Sequence, residues 1–534
     1  MSPRLLETLA VASFFALLAL YTARVIWDID LFWHIAAGRD FVREGRIAHT
    51  DIFGALDPDR VWVSFQWGYE VLVHLLDQAG GLQLVRAVHT AVMLTAFALF
   101  YWGLRGRLRV GPIASFVLLA LLVVLFEDRI RNRPHVFNLL GWAVMFPWLL
   151  RGPAALDRRS MLGAALTLGV WANLHAGGAL LFLVAAATLP AGAVLARLLR
   201  SEDPAARAWP RAVIWWLCAL LPALFSPGFV RGNIQAAVML EGTEQAIGEW
   251  WPAWHFLAIA TTAGHVVCGL APSVVGALWL AVLARGVAAR DRLRSVPAWV
   301  LLLGLALVVL SHRSVRFVYI AAFGAALLAP WLPRPLAPAT WPPRLARGVG
   351  VLLAACLVVT SYRFNVTALH GDLPSALASA LGPPLDARRF PLAQAAFLEQ
   401  TGFHGTIFCQ PNWGGYLLWR LHPGARVLAD GRGNYPRALS DDLAALYDRD
   451  RLNAPSDGPA VEALYARYPT DILVHQHPAF PPGYTPDPSR WELLYSDARG
   501  TIWARLDSEG GRAFAAHVRE LRSRAPAPAD APPR

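Results

Sequence analysis

The chain has 534 residues, of which 56% are hydrophobic and only 16% are charged, and its mean hydropathy is +0.41. Soluble proteins carry about 25% charged residues, so this composition excludes an ordinary soluble enzyme and predicts an integral membrane protein. The net charge of +11 comes from arginine without any lysine. Arginine at a membrane surface, among lipid headgroups, accounts for this charge better than nucleic-acid binding does.

Apolar blocks fill the chain up to about residue 362 and predict membrane-spanning helices. A span needs about 20 apolar residues, or fewer where neighbouring helices bury it. The N-terminal block is too long for a signal peptide and no small-residue cleavage site follows, so we interpret it as an uncleaved first span. Eleven spans are predicted, at 5–27, 82–104, 111–127, 136–150, 160–173, 176–197, 211–226, 255–284, 296–311, 316–333 and 347–362. The predicted fold is therefore an all-α polytopic membrane domain over 1–362.

Arginine is distributed unevenly between the two sets of short loops that connect these spans. One set holds eighteen arginines and the opposite set holds six. The positive-inside rule places the richer set, and with it the N-terminus, in the cytoplasm. Because the number of predicted spans is odd, the first long loop, residues 28–81, and everything after the last span are expected on the extracytoplasmic side.

The first outer loop contains two helical patterns. Residues 30–44 have apolar positions at helical spacing, and Gly45 is a suitable stop signal. Residues 66–81 predict a second amphipathic helix. Its apolar face is formed by Trp67, Val71, Leu72 and Leu75. Both segments are rich in tryptophan, which predicts helices lying in the plane of the membrane.

Two acids, Asp28 and Asp30, lie where the first span leaves the membrane. Acids at this boundary cost free energy unless they are used or paired. Partial burial raises the pKa of a carboxylate toward neutrality, so either residue is suited to act as a general base. The alternative is that Asp30, which precedes a helix, caps the helix N-terminus.

The other outer loops are short and polar, and each returns the chain to the same face. Arginine outside the cytoplasm suggests anion binding, because a guanidinium offers paired donors to a phosphate. The alternative is that these arginines pair with Glu127, Asp128 or lipid headgroups, and that His175 is a hydrogen-bonded interior histidine. The candidates for phosphate binding are Arg131, Arg133, Arg313, Arg316 and His175. Further candidate site residues are His34, Asp51, Glu70, His135, Asn173 and Glu249.

Residues 363–522 read as a soluble α/β domain. Strands are predicted at 405–410, 426–430, 470–476, 491–497 and 500–506, the last two as a hairpin, and helices at 392–402 and 439–450. Asp430, Arg432 and Tyr435 follow a predicted strand, where α/β sheets often bind ligands, although Asp-Gly is also turn chemistry. Residues 523–534 are predicted to be a disordered tail.

Several stretches together resemble the GT-C superfamily of membrane glycosyltransferases, and within it a bacterial branch. They are DIDLFWHIAAGR followed by GRIAHTDIF, then LGVWANLHAGG, GEWWP, SHRSVRF and NWGGYLLWRLHPGARVLADGR. The order of one span, an acidic outer loop with in-plane helices, about ten more spans and an outer globular domain is also similar. The resemblance covers most of the chain and implies a location in the bacterial inner membrane.

The resemblance implies a polyprenyl-phosphate-sugar donor and transfer at the outer leaflet, with membrane lipids around the protein. It implies an acid of the first outer loop as the base, which maps onto Asp30 with Asp28 second. The acceptor, whether a glycan, a lipid or a protein, is left open. One departure is that Gln66, not an acid, precedes Trp67, so Glu70 is the candidate replacement. No cofactor is implied with certainty, and a divalent metal is required in only part of the superfamily.

The leading hypothesis is therefore an inverting glycosyltransferase. A lipid-linked glycan ligase or polymerase would use the same arginines and histidines without an early carboxylate base. A transporter or flippase of lipid-linked glycans is the third possibility, but transporters commonly have paired halves with charges at mid-membrane. This sequence has no evident internal repeat, and its charges collect at the outer edge.

Overall fold

The computed structural model describes residues 3–199, 203–235, 251–258, 263–288, 296–331, 378, 380–447, 458–477 and 484–524. The chain divides into two compact units. The first comprises Met1–Ile26, Phe65–Tyr69 and Gly80–Pro384, and the second comprises Trp27–Ser64, Glu70–Ala79 and Leu385–Arg534. Most of the first loop therefore groups with the C-terminal residues. The predicted boundary at 362–363 lies outside the described residues and stays a prediction.

The first unit is helical. Up to residue 331 the α-helices of the described residues are α1 (Pro3–Thr22), α2 (Asp30–Glu44), α3 (Trp67–Trp102), α4 (Pro112–Phe126), α5 (His135–Leu149), α6 (Arg158–Leu174), α7 (Ala176–Ala186), α8 (Thr188–Leu198), α9 (Trp209–Leu224), α10 (His255–Ala258), α11 (Ala263–Ala288), α12 (Ala298–Arg313) and α13 (Ile320–Leu328). Of these, α2 and residues Glu70–Ala79 of α3 belong to the second unit. Helices such as α4 and α13 are apolar around their whole circumference, as expected for helices surrounded by other helices or lipid.

Local signals explain where several of these helices begin and bend. Asp157 accepts a hydrogen bond from the backbone N–H of Ser160 at 2.7 Å, and the Ser160 hydroxyl accepts one from the Asp157 N–H at 2.9 Å. This reciprocal capping box satisfies backbone donors at the start of α6. Non-helical backbone angles at Gly80 and Gly81 break α3, which explains why one long helix covers both a loop helix and a predicted span.

Among the described residues, three helical segments are long and apolar enough to cross a membrane, namely Trp67–Arg107, Ala176–Leu198 and His265–Ala284. A bent pair, Trp209–Leu224 with Phe229–Gln235, adds a fourth if it forms one broken span. Shorter apolar helices coincide with other predicted spans. The predicted number of eleven is not confirmed by these lengths, and the last predicted span, 347–362, lies outside the described residues.

The C-terminal part of the second unit is built on a five-stranded sheet. Its strands are β1 (Gly405–Cys409), β2 (Ala425–Val427), β3 (Ile472–Gln476), β4 (Trp491–Ser496) and β5 (Gly500–Arg505). The order is β2-β1-β3-β5-β4, with β1 parallel to both β2 and β3 and with β3–β5 and β4–β5 antiparallel. The predicted α/β class, the strands and the final hairpin are confirmed.

Five helices accompany this sheet. They are α14 (Leu392–Gln400), α15 (Pro411–Leu421), α16 (Arg437–Tyr447), α17 (Gly458–Arg467) and α18 (Glu509–Arg524). The core on one side of the sheet includes Phe408, Leu439, Tyr465 and Trp491. Since α18 continues to Arg524, the prediction that a disordered tail begins at residue 523 is wrong for its first two residues, and 525–534 lie outside the described residues.

Helix α2 follows its sequence pattern and ends at Gly45, whose positive φ of 65° suits glycine. Residues 31–37 are all buried. The Phe32 ring lies at centroid distances of 4.8–5.3 Å from the rings of Phe390, Tyr416 and Trp419. The apolar residues that suggested a membrane-surface helix are therefore covered by protein.

The segment after Gln66 is helical, as predicted, and the protein buries a different face from the predicted apolar one. Tyr69, Glu70, Val73 and His74 are the buried side chains, whereas Leu75 is 47% exposed. The buried face contains two ionisable residues, which apolar spacing alone does not predict, and the placement of the apolar face at the membrane stays a prediction.

Candidate functional site

Asp28 and Asp30 lie at the start of α2 and have different roles. Asp28 is buried, and its Oδ1 accepts a hydrogen bond from the Asp30 backbone N–H at 2.9 Å. Ile29 is the N-cap residue of α2 and Asp30 is the first helical residue. The expectation that Asp30 itself caps the helix is therefore wrong, because Asp28 satisfies that N–H.

Two glycines allow α15 and the following loop to approach this helix start closely. A Cβ on Gly415 would lie 2.9 Å from the Ile29 carbonyl oxygen. A Cβ on Gly431 would lie only 2.2 Å from Oδ1 of Asp30. No larger residue fits either position without movement, so the NWGG stretch lies against the backbone just before Asp30 and the ADGR stretch lies against the Asp30 carboxylate.

Arg432 forms a buried ion network beside this carboxylate. Its guanidinium donates to both oxygens of Asp430, the shortest bond being 2.7 Å, and to Oδ1 of Asp51 at 2.9 Å. Its Cζ also lies 4.7 Å from the Phe53 ring and 5.0 Å from the Trp62 ring. Burial alone would lower the pKa of Arg432, but the two carboxylates raise it above its ordinary value.

Asp51 is fixed from several directions in addition to Arg432. It accepts backbone N–H bonds from Phe53 and Gly54, both at 3.0 Å, and a bond from the Asn434 amide at 3.1 Å. The neighbouring loop extends the sheet, since the Val427 N–H donates to the Phe53 carbonyl at 3.2 Å. Asp51, Asp430 and Arg432, all predicted site residues, thus hold one another. This geometry is suited to fixing the position of the loop that contacts Asp30 through Gly431.

His34 and Glu70, two further predicted site residues, are brought together. The His34 Nδ1 donates to Oε1 of Glu70 at 3.3 Å, and the Ser64 hydroxyl donates to Oε2 at 2.6 Å. Glu70 is completely buried. Glu70, which lies in the first turn of α3, therefore belongs to an internal hydrogen-bond network in the second unit.

In the first unit, two predicted histidines lie side by side. The ring centroids of His135 and His175 are 4.8 Å apart. Arg129, Arg133 and Arg316 lie close enough to His135 for electrostatic interaction, and Arg316 interacts with His175 as well. We call these five residues the histidine–arginine cluster. The structure thus brings together four residues that the sequence singled out and adds Arg129.

The hydrogen bonds of the two histidines leave specific ring nitrogens for other partners. His175 Nδ1 accepts from the Gly178 N–H at 3.0 Å and so caps α7. This bond assigns the proton of the neutral ring to Nε2, which can donate. Within the described residues, the buried Nδ1 of His135 has no hydrogen-bond partner.

The remaining predicted residues of the first unit have other surroundings. Asn173 accepts from the Trp67 indole at 2.7 Å and donates to the Gly169 carbonyl at 2.7 Å, so its amide is engaged on both sides. Arg131 is half-buried in the loop of the cluster, and Arg313 is exposed at the end of α12. Glu249 lies outside the described residues.

A metal ion finds no ready site in the part of the chain that the structure describes. No group of three His, Cys, Asp or Glu side chains there could hold one. Asp51 and Asp430, which are acidic and close together, are both bound to Arg432. These residues do not fit a resident metal, and metal dependence stays an open prediction.

Other polar contacts were not predicted. The His422 Nε2 donates to Oδ2 of Asp40 at 2.6 Å, and both side chains are buried. Arg39 donates to the carbonyls of Trp419 and His422 at 2.9 and 2.8 Å, where the C-terminal end of α15 favours a cation. The sequence signal that could have indicated this contact is Asp40, an acidic residue on the buried side of α2.

One further polar residue that was not predicted lies in the first unit. Tyr319, whose buried hydroxyl has no partner among the described residues, interacts with Arg129.

Comparisons with known proteins show the fold. No protein-family model and no curated protein matches the sequence. Among solved structures, the Archaeoglobus fulgidus oligosaccharyltransferase in its apo form aligns with a TM-score of 0.50 at 11% identity, over 87% of this chain and 69% of that one. ArnT from Cupriavidus metallidurans, bound to undecaprenyl phosphate, aligns with a TM-score of 0.48 at 15% identity, over 95% and 99%. The mycobacterial arabinofuranosyltransferase AftD aligns with a TM-score of 0.47 at 17% identity, over 94% of this chain and 42% of that one. The likeness to the oligosaccharyltransferase, at 11% identity, shows that this chain shares its fold.

Proposed function

We propose that this protein is a membrane glycosyltransferase that moves a sugar from a polyprenyl-phosphate-linked donor to an acceptor at the extracytoplasmic face. The observation that carries the proposal is the placement of Asp30. Its backbone is held by Asp28 and its carboxylate lies against the Gly431 backbone, so the acid is positioned without serving as a helix cap. The fold is shared with an oligosaccharyltransferase, which makes glycosyl transfer the first reaction class to test.

In the proposed reaction Asp30 is the general base. It takes the proton of an acceptor hydroxyl while the hydroxyl oxygen attacks the anomeric carbon of the donor sugar. The new carbon–oxygen bond forms as the bond to the phosphate oxygen breaks, and the lipid phosphate leaves with the electron pair. Attack opposite the leaving group inverts the anomeric configuration. Asp28 and the Asp430–Arg432–Asp51 network keep the base in place.

The histidine–arginine cluster is proposed to bind the donor phosphate. Three guanidiniums supply fixed positive charge beside His135 and His175. Preorganised donors of this kind stabilise the negative charge that develops on a departing phosphate. Further hydrogen-bonding groups are the Nε2 proton of His175 and Nδ1 of His135, which has no partner among the residues that the structure describes. The arginine distribution between loops supports an extracytoplasmic location for this chemistry.

The base assignment is tested by deleting the gene and complementing it with wild type, Asp30→Asn or Asp28→Asn. Mass spectrometry then compares the glycans of surface lipids, polymers and proteins. Asp28→Asn is the matched control, since an amide oxygen can still accept the Asp30 N–H bond. We expect one sugar to vanish on deletion, to return with wild type and Asp28→Asn, and to stay absent with Asp30→Asn.

Other outcomes reassign the chemistry. A sugar lost only with Asp28→Asn would make Asp28 the base. Full complementation by both variants would refute a loop aspartate as base and favour the ligase or polymerase hypothesis, which relies on the arginines and histidines. Loss of sugar with Arg316→Ala, compared with the exposed Arg159→Ala on α6 as control, tests the phosphate role separately.

A further inference from the structure

A pocket lies in the same unit as Asp30 but at the opposite end of α2. Its volume is about 340 Å³, and it is formed by the last turn of α2, the loop after it and the start of β2. This size falls within the range of about 300–1,000 Å³ that is typical of small-molecule sites. At about 1.5 Å per helical residue, Asp40 at the pocket lies about 15 Å along the axis from Asp30.

The acidic residues that line the pocket are already engaged. Asp51 is bound by Arg432 and Asn434, and Asp40 by His422 and Arg43 at 2.6 and 3.0 Å. These carboxylates therefore do not offer free charge to a ligand.

Two arginines that line the pocket differ from these acids in their pairing. Arg46 and Arg426 both line the pocket and are exposed. In the part of the chain that the structure describes, neither side chain forms an ion pair or a hydrogen bond. A ligand entering the pocket thus meets two unpaired guanidiniums at its rim.

His422 forms part of the pocket wall. Its side chain is more than nine-tenths buried, and Nε2 of its ring donates to Asp40. The ring therefore contributes surface to the pocket rather than charge. The guanidiniums of Arg46 and Arg426 at the rim match a phosphate or carboxylate.

From these observations, and from the proposed function, we propose that the pocket binds an anionic saccharide, with its phosphate or carboxylate on Arg46 and Arg426. The identification of this saccharide as a distal part of the acceptor rests on the proposed function. The separation along α2 then means that the acceptor is extended, because one sugar cannot reach both the pocket and the Asp30 carboxylate.

Binding is tested with the full chain in detergent by isothermal titration calorimetry. The probes are glucuronate, glucose 6-phosphate, neutral glucose and inorganic phosphate. We expect the two anionic sugars to bind and glucose to bind at least tenfold more weakly. The double variant Arg46→Ala/Arg426→Ala should weaken the anionic sugars at least tenfold, with unchanged thermal unfolding because both side chains are exposed.

The matched control is Arg437→Ala/Arg519→Ala, which removes two exposed arginines elsewhere on the unit and should leave binding unchanged. Equal binding of glucose and glucuronate would overturn the proposal, as would wild-type binding by the pocket double variant. Inorganic phosphate binding as tightly as glucose 6-phosphate would overturn the saccharide assignment. The measurement needs no transfer, so its failure is distinct from the failure of an Asp30 complementation experiment.

Discussion

Replacing Gly431 with alanine tests whether the Asp30 carboxylate must remain where it lies. The added Cβ would stand 2.2 Å from Oδ1 of Asp30. A carbon–oxygen contact needs about 3.3–3.6 Å, so the carboxylate or the loop must move by about 1.1–1.4 Å. A misplacement of about 1 Å at a reacting centre costs about 100-fold in rate, or about 2.7 kcal/mol of transition-state stabilisation.

The expected result for Gly431→Ala is a roughly 100-fold loss of sugar transfer in the complemented deletion strain. Gly433→Ala is the control in the same loop. Its Cβ meets nothing within 4 Å, although a φ of 66° makes the alanine backbone unfavourable by about 1–2 kcal/mol. Comparable thermal unfolding of both variants, with transfer lost only for Gly431→Ala, supports the close approach. Full transfer by Gly431→Ala would refute the role of this loop in positioning the base.

Three further predictions concern stability and are measured by thermal unfolding of the purified protein. Arg432→Ala leaves its two buried carboxylate partners without a counter-charge and should destabilise the second unit by about 3–5 kcal/mol. The exposed Arg437→Ala should change stability by no more than about 0.5 kcal/mol, and an equal effect of the two would contradict the ion network. Asp157→Ala removes the capping box of α6 and should cost about 1 kcal/mol, whereas Asp157→Asn should cost less. Hydrogen bonds from Arg505 and then Arg490 hold the pKa of Asp507 at about 2, below its ordinary value of 3.8. The stabilisation from Asp507 is therefore present above about pH 4 and is lost as the pH falls through about 2. Asp507→Asn should reduce the loss of thermal stability over this pH range. An unchanged loss of stability in acid would contradict the prediction.

Short-range sequence patterns were enough to predict several helices and strands. The apolar spacing of residues 30–44 and the stop at Gly45 predicted α2, and the strand character of TDILVHQ, WELLYSD and GTIWARL predicted β3 and the hairpin of β4 and β5. Helix α15 was not predicted, because its proline, two glycines and tryptophans are poor helix formers away from a supporting fold. Its proline occupies the first helical turn, where the missing N–H costs little.

Partners far apart in the sequence were beyond such patterns. Asp40 and His422 are 382 residues apart, and no spacing rule connects them. Arg432 was a candidate site residue, but turn chemistry could not distinguish a ligand-binding arginine from one held by Asp51 and Asp430. His175 and Arg316 were both candidates because their loops return to one face, whereas their proximity to His135 was not predicted.

The second unit is assembled from chain segments that are made at very different times. The Trp419 indole donates to Asp77 at 3.2 Å across 342 residues of sequence. At a synthesis rate of about 5–20 residues per second, the ribosome needs about 17–70 s to deliver the second partner after the first. Throughout that interval α2 lacks α15, and Phe32, which α15 later helps to bury, has no cover from it. Chains that terminate before residue 411 therefore cannot form the surroundings of Asp30.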